Sequence, residues 1–202
     1  MAHRLTARQA AGSAGKESRV IIWLNGTFGA GKTTTANELA RRLANARQFD
    51  PELVGYLLMT ALSDHEFKDF QDLRPWRELV PVFTEKIASL TGQHLIAVQT
   101  VLREDYWREL ARGFGRTSLA VFHVLLHVDS DVLTERIRAD EVEAKACQWR
   151  LDHIGDYEKA RPWMEQAADL VIDTTQLPVV DVADRIAIAA EKRIAGTRSS
   201  PG

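Results

Sequence analysis

The sequence predicts a three-layer α/β/α fold, a parallel sheet of about five strands with helices on both faces. Two observations carry that expectation. Short apolar runs suited to buried strands alternate with segments whose apolar residues recur at helical spacing, the pattern of successive βα units. The residues joining the first run to the first helical segment, Gly26-Thr27-Phe28-Gly29-Ala30-Gly31-Lys32-Thr33, read G-x-x-x-x-G-K-T. That is the P-loop pattern in the strand–loop–helix context it requires.

Composition sets the bounds. The chain has 202 residues, 45% hydrophobic and 27% charged, enough for one globular domain with a sizeable core. A net charge of -2 gives no electrostatic case for nucleic acid or an anionic membrane as partner. The single cysteine, Cys147, excludes an intramolecular disulfide and fits a reducing cytoplasm. Residues 1–18 are basic, small and polar without an apolar centre and read as a disordered leader. Residues 19–195 read as one P-loop domain and 196–202 as a flexible tail. No apolar run is long enough to cross a membrane.

The elements follow in order. Val20-Ile21-Ile22-Trp23-Leu24 is a buried parallel strand. In the loop after it, Gly26 to Thr34 are expected to bind nucleotide: inward-pointing N–H groups and a helix N-terminus make a concave anion site. Lys32 reaches the β- and γ-phosphates and the Thr33 hydroxyl binds Mg²⁺. This predicts a nucleoside-triphosphate site, read as ATP with GTP not excluded. Ala36, Leu39, Ala40 and Leu43 mark the helix that follows. Gln48 to Glu52 ends a short second strand. Asp50 there is a general base, a water-mediated Mg²⁺ ligand, or a turn-capping residue before proline.

Leu53 to Leu62 is helical. Asp64 to Arg77 mixes acids, aromatics and arginines without periodicity and reads as a binding loop or a connector. Leu79, Phe83, Ile87 and Leu90 mark a helix with Pro81 in its first turn and Gly92 at its end. His94 to Val101 is a strand, and Gln99 and Thr100 stand where many P-loop enzymes have a metal-holding acid. Glu104 to Arg112 is a short helix, closed by a turn bracketed by Gly113 and Gly115. Val121 to Val128 is a strand that puts His123 and His127 on one face, as hydrogen-bonded core residues rather than a metal pair. Asp129-Ser130-Asp131 caps the helix Val132 to Arg138.

Residues 139–165 read as a helical flap, interrupted near Gly155 or Pro162. Arg136, Arg138, Lys145, Arg150 and Arg161 surround it, with Arg136 and Arg138 best placed to stabilise a transferring phosphoryl group. Asp169 to Thr175 is the final strand and turn, with Thr174 on the nucleotide side. Pro178 opens the last helix, marked by Val179, Val182, Ile186 and Ala190.

Ligands in such sheets bind beyond the carboxyl ends of the strands. The P-loop, Asp50, Gln99-Thr100, Asp129 and Asp173-Thr175 all fall there, which describes a small nucleoside- or metabolite-kinase-like P-loop domain. Ile21 to Thr33, Asp50-Pro51-Glu52 with Gly55, and Asp69-Phe70-Gln71 with Trp76-Arg77 resemble the tunicamycin resistance protein family. Leu133-Arg136-Ile137-Arg138 and Trp149 match it more loosely. The resemblance implies an ATP-binding protein that protects bacteria from tunicamycin, a uracil-containing nucleoside antibiotic with sugars and a fatty acyl chain. It implies a fold like chloramphenicol phosphotransferase and shikimate kinase, whose acid after the second strand is a base or substrate ligand, as Asp50 would be here.

On this reading ATP, Mg²⁺ and a small-molecule acceptor meet at one site in a monomer or homodimer. Lys32, Asp50, Arg77, Arg136 and Arg138 are the expected catalytic residues. Phe70, Gln71, Trp76, Gln99 and Trp107 join Asp50 and Arg77 as substrate contacts, though bulky aromatics are more often core. Two other outcomes stay open: sequestration of the drug without chemistry, and a kinase for an ordinary metabolite. Family members often carry a longer C-terminal region proposed to touch the membrane; the chain ends soon after Ile194, so stable membrane insertion is not expected.

Overall fold

A computed structural model describes residues 19–142 and 144–198. The leader read at 1–18 lies outside the described residues, as do 199–202 of the tail and Glu143 of the flap. Five strands form one parallel sheet: β1 (Val20–Gly26), β2 (Ala46–Phe49), β3 (His94–Val98), β4 (Ala120–His127) and β5 (Leu170–Asp173), in the order β2-β3-β1-β4-β5. The helices are α1 (Lys32–Arg42), α2 (Glu52–Ala61), α3 (Arg74–Thr91), α4 (Glu104–Phe114), α5 (Ser130–Arg138), α6 (Cys147–Asp152), α7 (Ile154–Ala167) and α8 (Val179–Arg198).

β1 is central and buried along its whole length, so its apolar run serves both faces. Val20, Ile22 and Leu24 pack with Leu39 of α1 and Val182 and Ile186 of α8. Ile21 and Trp23 point the other way, into a core with Val54 of α2, Trp76 and Val80 of α3, and Trp107 and Leu110 of α4. The chain leaves β1 at the point where the connections diverge to β3 on one side and β4 on the other. That divergence opens a crevice at the strands' carboxyl ends.

Three local expectations change. α3 starts at Arg74, so Pro81 sits inside the helix rather than in its first turn. Its ring packs so closely on Gly113 that a β-carbon there would lie 2.7 Å from Pro81 Cγ. Gly113 is accordingly a helical residue of α4 that makes room for α3, not part of a turn. The flap breaks near Gly155 as expected, at His153 between α6 and α7, while α7 continues through Pro162. α8 runs on to Arg198, past Gly196 where the tail was expected to begin.

Candidate active site

The loop between β1 and α1 has the backbone that its glycines permit. Gly26 has φ +144°, and a β-carbon there would stand 2.6 Å from the Leu126 carbonyl oxygen of β4. Asn25, fully buried, fixes the loop from below. Its Oδ1 accepts hydrogen bonds from Gly26 N (2.9 Å) and Val101 N (3.0 Å), and its Nδ2 donates to Val101 O (3.2 Å). Asn25 thus ties the phosphate loop to the segment after β3. Residue-by-residue reading missed this role, because a lone Asn at a strand end has no motif.

Lys32 folds back into the loop. Its Nζ donates to the carbonyls of Gly26 (3.0 Å) and Thr27 (2.7 Å) and lies 5.7 Å from the Phe28 ring centroid. Burial, and then the nearby Arg150 guanidinium, lower its pKa to about 7, against a smaller opposing pull from Glu52. Thr33 and Thr34 are exposed to a cavity of about 820 Å³ shared by Lys32, Glu52, Gln99, Arg136 and Arg150. A smaller recess of about 210 Å³ lies on the other side of the loop, between Gly29, Thr34, Arg136, Thr174 and Val182. Arg136 forms its wall: Nη2 donates to Thr174 O (2.8 Å) and Thr175 O (3.3 Å). Thr174 is buried and donates to His127 O (2.9 Å).

A third cavity, about 680 Å³, opens beside the first and shares Phe28, Thr100 and Trp149 with it. Its aromatic surface comes from Phe28, Trp149 and Trp163, its floor from Gln71 and Thr100, and Gln71 Nε2 donates to Thr100 O (3.0 Å). Trp149 packs edge-on against Phe28, with centroids 4.6 Å apart, and against His153 at 4.1 Å. This aromatic contact seats α6 on the P-loop and forms the partition between the two cavities.

Several residues expected at the site lie elsewhere. Trp76 is fully buried, donates from Nε1 to Pro51 O (3.0 Å) and holds α3 against the start of α2. Phe70 packs on Trp76 at 5.3 Å and covers Gly55, where a β-carbon would meet its ring at 2.6 Å. Trp107 is buried against Trp23 and His123. Trp76 and Trp107 belong to the core and the partly buried Phe70 packs against it, as area burial favours for large aromatics.

Arg77 is also buried and committed. It pairs with Glu109 at 2.8 Å, donates to Gln71 O, and lies over Tyr106 at 4.1 Å. It joins α3 to α4 rather than facing the P-loop. Arg138 is exposed and lies outside the linings of these three cavities among the described residues. The flap arginine over the loop is Arg150, 9% exposed, paired with Asp140 at 2.7 Å, its Nη2 3.7 Å from the point where a Gly29 β-carbon would sit.

Asp50 Oδ1 accepts from Glu52 N (2.9 Å) in the turn that leads through Pro51 into α2. Two acids line the P-loop cavity, Glu52, two residues on, and Asp140, which is paired with Arg150; of the two, Glu52 is the one near Asp50. Its pKa is raised, by burial first and then by the Asp50 charge, while Tyr56 OH donates to its Oε2 at 3.2 Å. Two buried oxygens in this region, Thr27 Oγ1 and Gln99 Oε1, have no protein partner. Native structures rarely leave such atoms unpaired, so they mark where polar ligand atoms or water belong. The Thr33 hydroxyl, the Glu52 carboxylate and the Gln99 amide are hard oxygen donors that suit a hydrated Mg²⁺. The described residues hold no group of three or more His, Cys, Asp or Glu able to cage a metal alone, so phosphates and water would complete its shell.

Comparison with known proteins follows the same line. A family model described as an AAA domain matches residues 21–160. The tunicamycin resistance protein of Deinococcus radiodurans is 30% identical, with a TM-score of 0.66 over 85% of this chain and 95% of that one. The chain belongs to the tunicamycin resistance protein family of AAA-domain P-loop proteins. Shikimate kinase from Acinetobacter baumannii in complex with shikimate shares the fold (18% identity, TM-score 0.57, covering 88% of this chain and 96% of that one). So does the Mycobacterium tuberculosis APS kinase in complex with AMPPNP and APS (19%, 0.58, 86% and 98%). No curated protein matches the sequence significantly. The kinase-like P-loop fold implies nucleotide binding, and no helix among the described residues is long and apolar enough to cross a membrane.

Proposed function

We propose that the protein is an ATP-dependent phosphotransferase that modifies a hydroxyl of tunicamycin or a similar nucleoside-like compound, working in the cytoplasm. One observation carries the reading: the P-loop cavity and the aromatic cavity adjoin across Phe28, Thr100 and Trp149. An acceptor seated in the second would present a hydroxyl to a nucleotide held in the first, and such positioning supplies much of the barrier reduction in phosphoryl transfer.

In this mechanism the loop N–H groups and Lys32 hold the triphosphate, and the recess at Arg136 and Thr174 takes the base side of the nucleotide. Thr33, with Glu52 and Gln99 through water, would hold Mg²⁺, which offsets phosphate charge. Glu52 accepts the proton of the acceptor O–H, the role that sequence reading gave to Asp50. The acceptor oxygen bonds to the γ-phosphorus as the bond to the β–γ bridging oxygen breaks, and ADP departs. Lys32 and Arg150 face the charge that spreads over the transferring group.

Incubating protein, MgATP and tunicamycin and weighing the drug by mass spectrometry tests this. A drug heavier by one phosphoryl group is expected; an unaltered drug bound stoichiometrically would sink it. The sequestration reading has one observation in its favour: the β3 end carries the neutral Gln99 and Thr100 where an acid would hold the metal.

A further inference from the structure

We propose that the aromatic cavity beside the P-loop admits uncharged, sugar-bearing acceptors and turns away anionic ones. The idea rests on the phosphotransferase reading only in treating this cavity as the acceptor site.

The charge inventory of the cavity carries it. Five carboxylates line it, Asp69, Asp72, Glu104, Asp105 and Asp156, against three cations, Arg103, Arg108 and Lys159. Each cation is already matched. Arg103 pairs with Asp105 at 2.6 Å, Arg108 with Glu104 at 2.6 Å, and Lys159 with Asp156 at 3.2 Å. Arg77, behind the Tyr106 ring, is matched by Glu109 at 2.8 Å, and His153 on the same wall has its Nδ1 2.6 Å from Trp149 O.

Asp69 and Asp72 form no salt bridge among the described residues, though the Asp72 charge also bears on Arg103. They are held in place as a reciprocal cap on the short turn 70–72: Asp69 Oδ1 accepts from Gln71 N at 2.8 Å, and Asp72 Oδ2 from Asp69 N at 3.3 Å. Asp72 Oδ1 also takes the Tyr106 hydroxyl at 2.7 Å. The field of Asp69 reaches the neighbouring cavity, where it is one of the charges raising the Glu52 pKa.

Fixed carboxylate oxygens with spare lone pairs accept hydrogen bonds from hydroxyls, and the Trp149 and Trp163 faces suit the C–H surface of a sugar ring or the plane of a base. An incoming phosphate or carboxylate meets lining cations that are each already paired with a carboxylate, and two further like charges. The shikimate and APS bound by the two fold neighbours are anionic, so the shared fold is paired here with an acceptor wall of opposite preference. A phosphorylated product would be repelled by the same wall, which favours its release.

Two measurements test this. The first is collisional quenching. Trp23, Trp76 and Trp107 are buried, whereas Trp149 is 50% exposed and shares this cavity with the half-buried Trp163, so ionic quenchers report the cavity's field. The ratio of caesium to iodide quenching should exceed that of free tryptophan amide at least about twofold and fall in Asp69→Asn/Asp72→Asn. A ratio at or below the free value overturns the proposal. The second is calorimetry with the P-loop filled by AMPPNP, comparing uridine with uridine 5′-monophosphate. Uridine should bind about tenfold tighter, and Asp105→Asn, which releases Arg103, should narrow the gap. Equal or tighter binding of the monophosphate overturns the proposal, and if neither binds, the quenching result decides. An unmodified tunicamycin would contradict the phosphotransferase reading while leaving both of these results to stand or fall by themselves.

Discussion

Lys32 links nucleotide binding to pH in a way that can be worked from the structure. In the free protein its pKa is about 7, because burial and Arg150 both oppose its charge. A bound triphosphate supplies the opposite charge and returns the amine toward its ordinary value of 10.5. Binding above pH 7 therefore takes up a proton. At pH 8 roughly nine-tenths of free Lys32 is neutral, so about 0.9 proton should enter per nucleotide, falling to about 0.1 at pH 6. Affinity should drop about tenfold, or about 1.4 kcal/mol, for each pH unit above 7.

Titrating MgATP by calorimetry in buffers of different ionisation enthalpy measures the uptake directly, since MgATP is already fully ionised at pH 8. Arg150→Gln removes the second cause of the depression and should reduce the uptake. No uptake at pH 8 would refute the reasoning, because Lys32 would then be charged before the nucleotide arrives. The sign for stability follows the same shift. Between about pH 7 and 10.5 the unfolded chain keeps a proton that the folded one has lost. Lys32 therefore disfavours folding below this window, and its contribution improves as pH rises through it.

Other outcomes are expected. Glu52→Gln should slow phosphoryl transfer about 100-fold or more, whereas Asp50→Ala should cost about 1 kcal/mol of stability, because it removes the side-chain acceptor for Glu52 N, and leave transfer within a few-fold; quenched-flow rates and melting curves separate the two. Arg77→Ala should destabilise the fold by about 2 kcal/mol by stranding Glu109, with MgATP affinity retained by calorimetry. Gly26→Ala should cost about 2 kcal/mol or more, because φ +144° and the Leu126 carbonyl both oppose a β-carbon, and denaturant titration would show it.

The sheet and the phosphate loop were legible because each has a local cause. An apolar run such as Val20–Leu24 can be buried only as a central strand, and the spacing Gly26 to Thr33 encodes backbone geometry directly. The acceptor side was not legible, because it depends on which way side chains turn. Phe70 and Trp76 sit in a segment rich in candidate contacts, yet both turn inward, because Gly55 makes room for one and Pro51 O takes the indole hydrogen of the other. Arg77 was indistinguishable in sequence from a phosphate-binding arginine until α4 brought Glu109 to it. Asp50 and Glu52 are two residues apart, and only the first turn of α2 decides which faces the cavity. Asn25 acts through Val101, 76 positions away, which no local pattern can show.

The central claim is that one site passes phosphate from ATP to an acceptor beside the P-loop. Following the label from γ-³²P-ATP in a single turnover with tunicamycin tests it most directly. Label should appear on the drug in step with ADP formation and vanish in Lys32→Ala. Label found only in inorganic phosphate, or ATP left intact while the drug is bound, would contradict it.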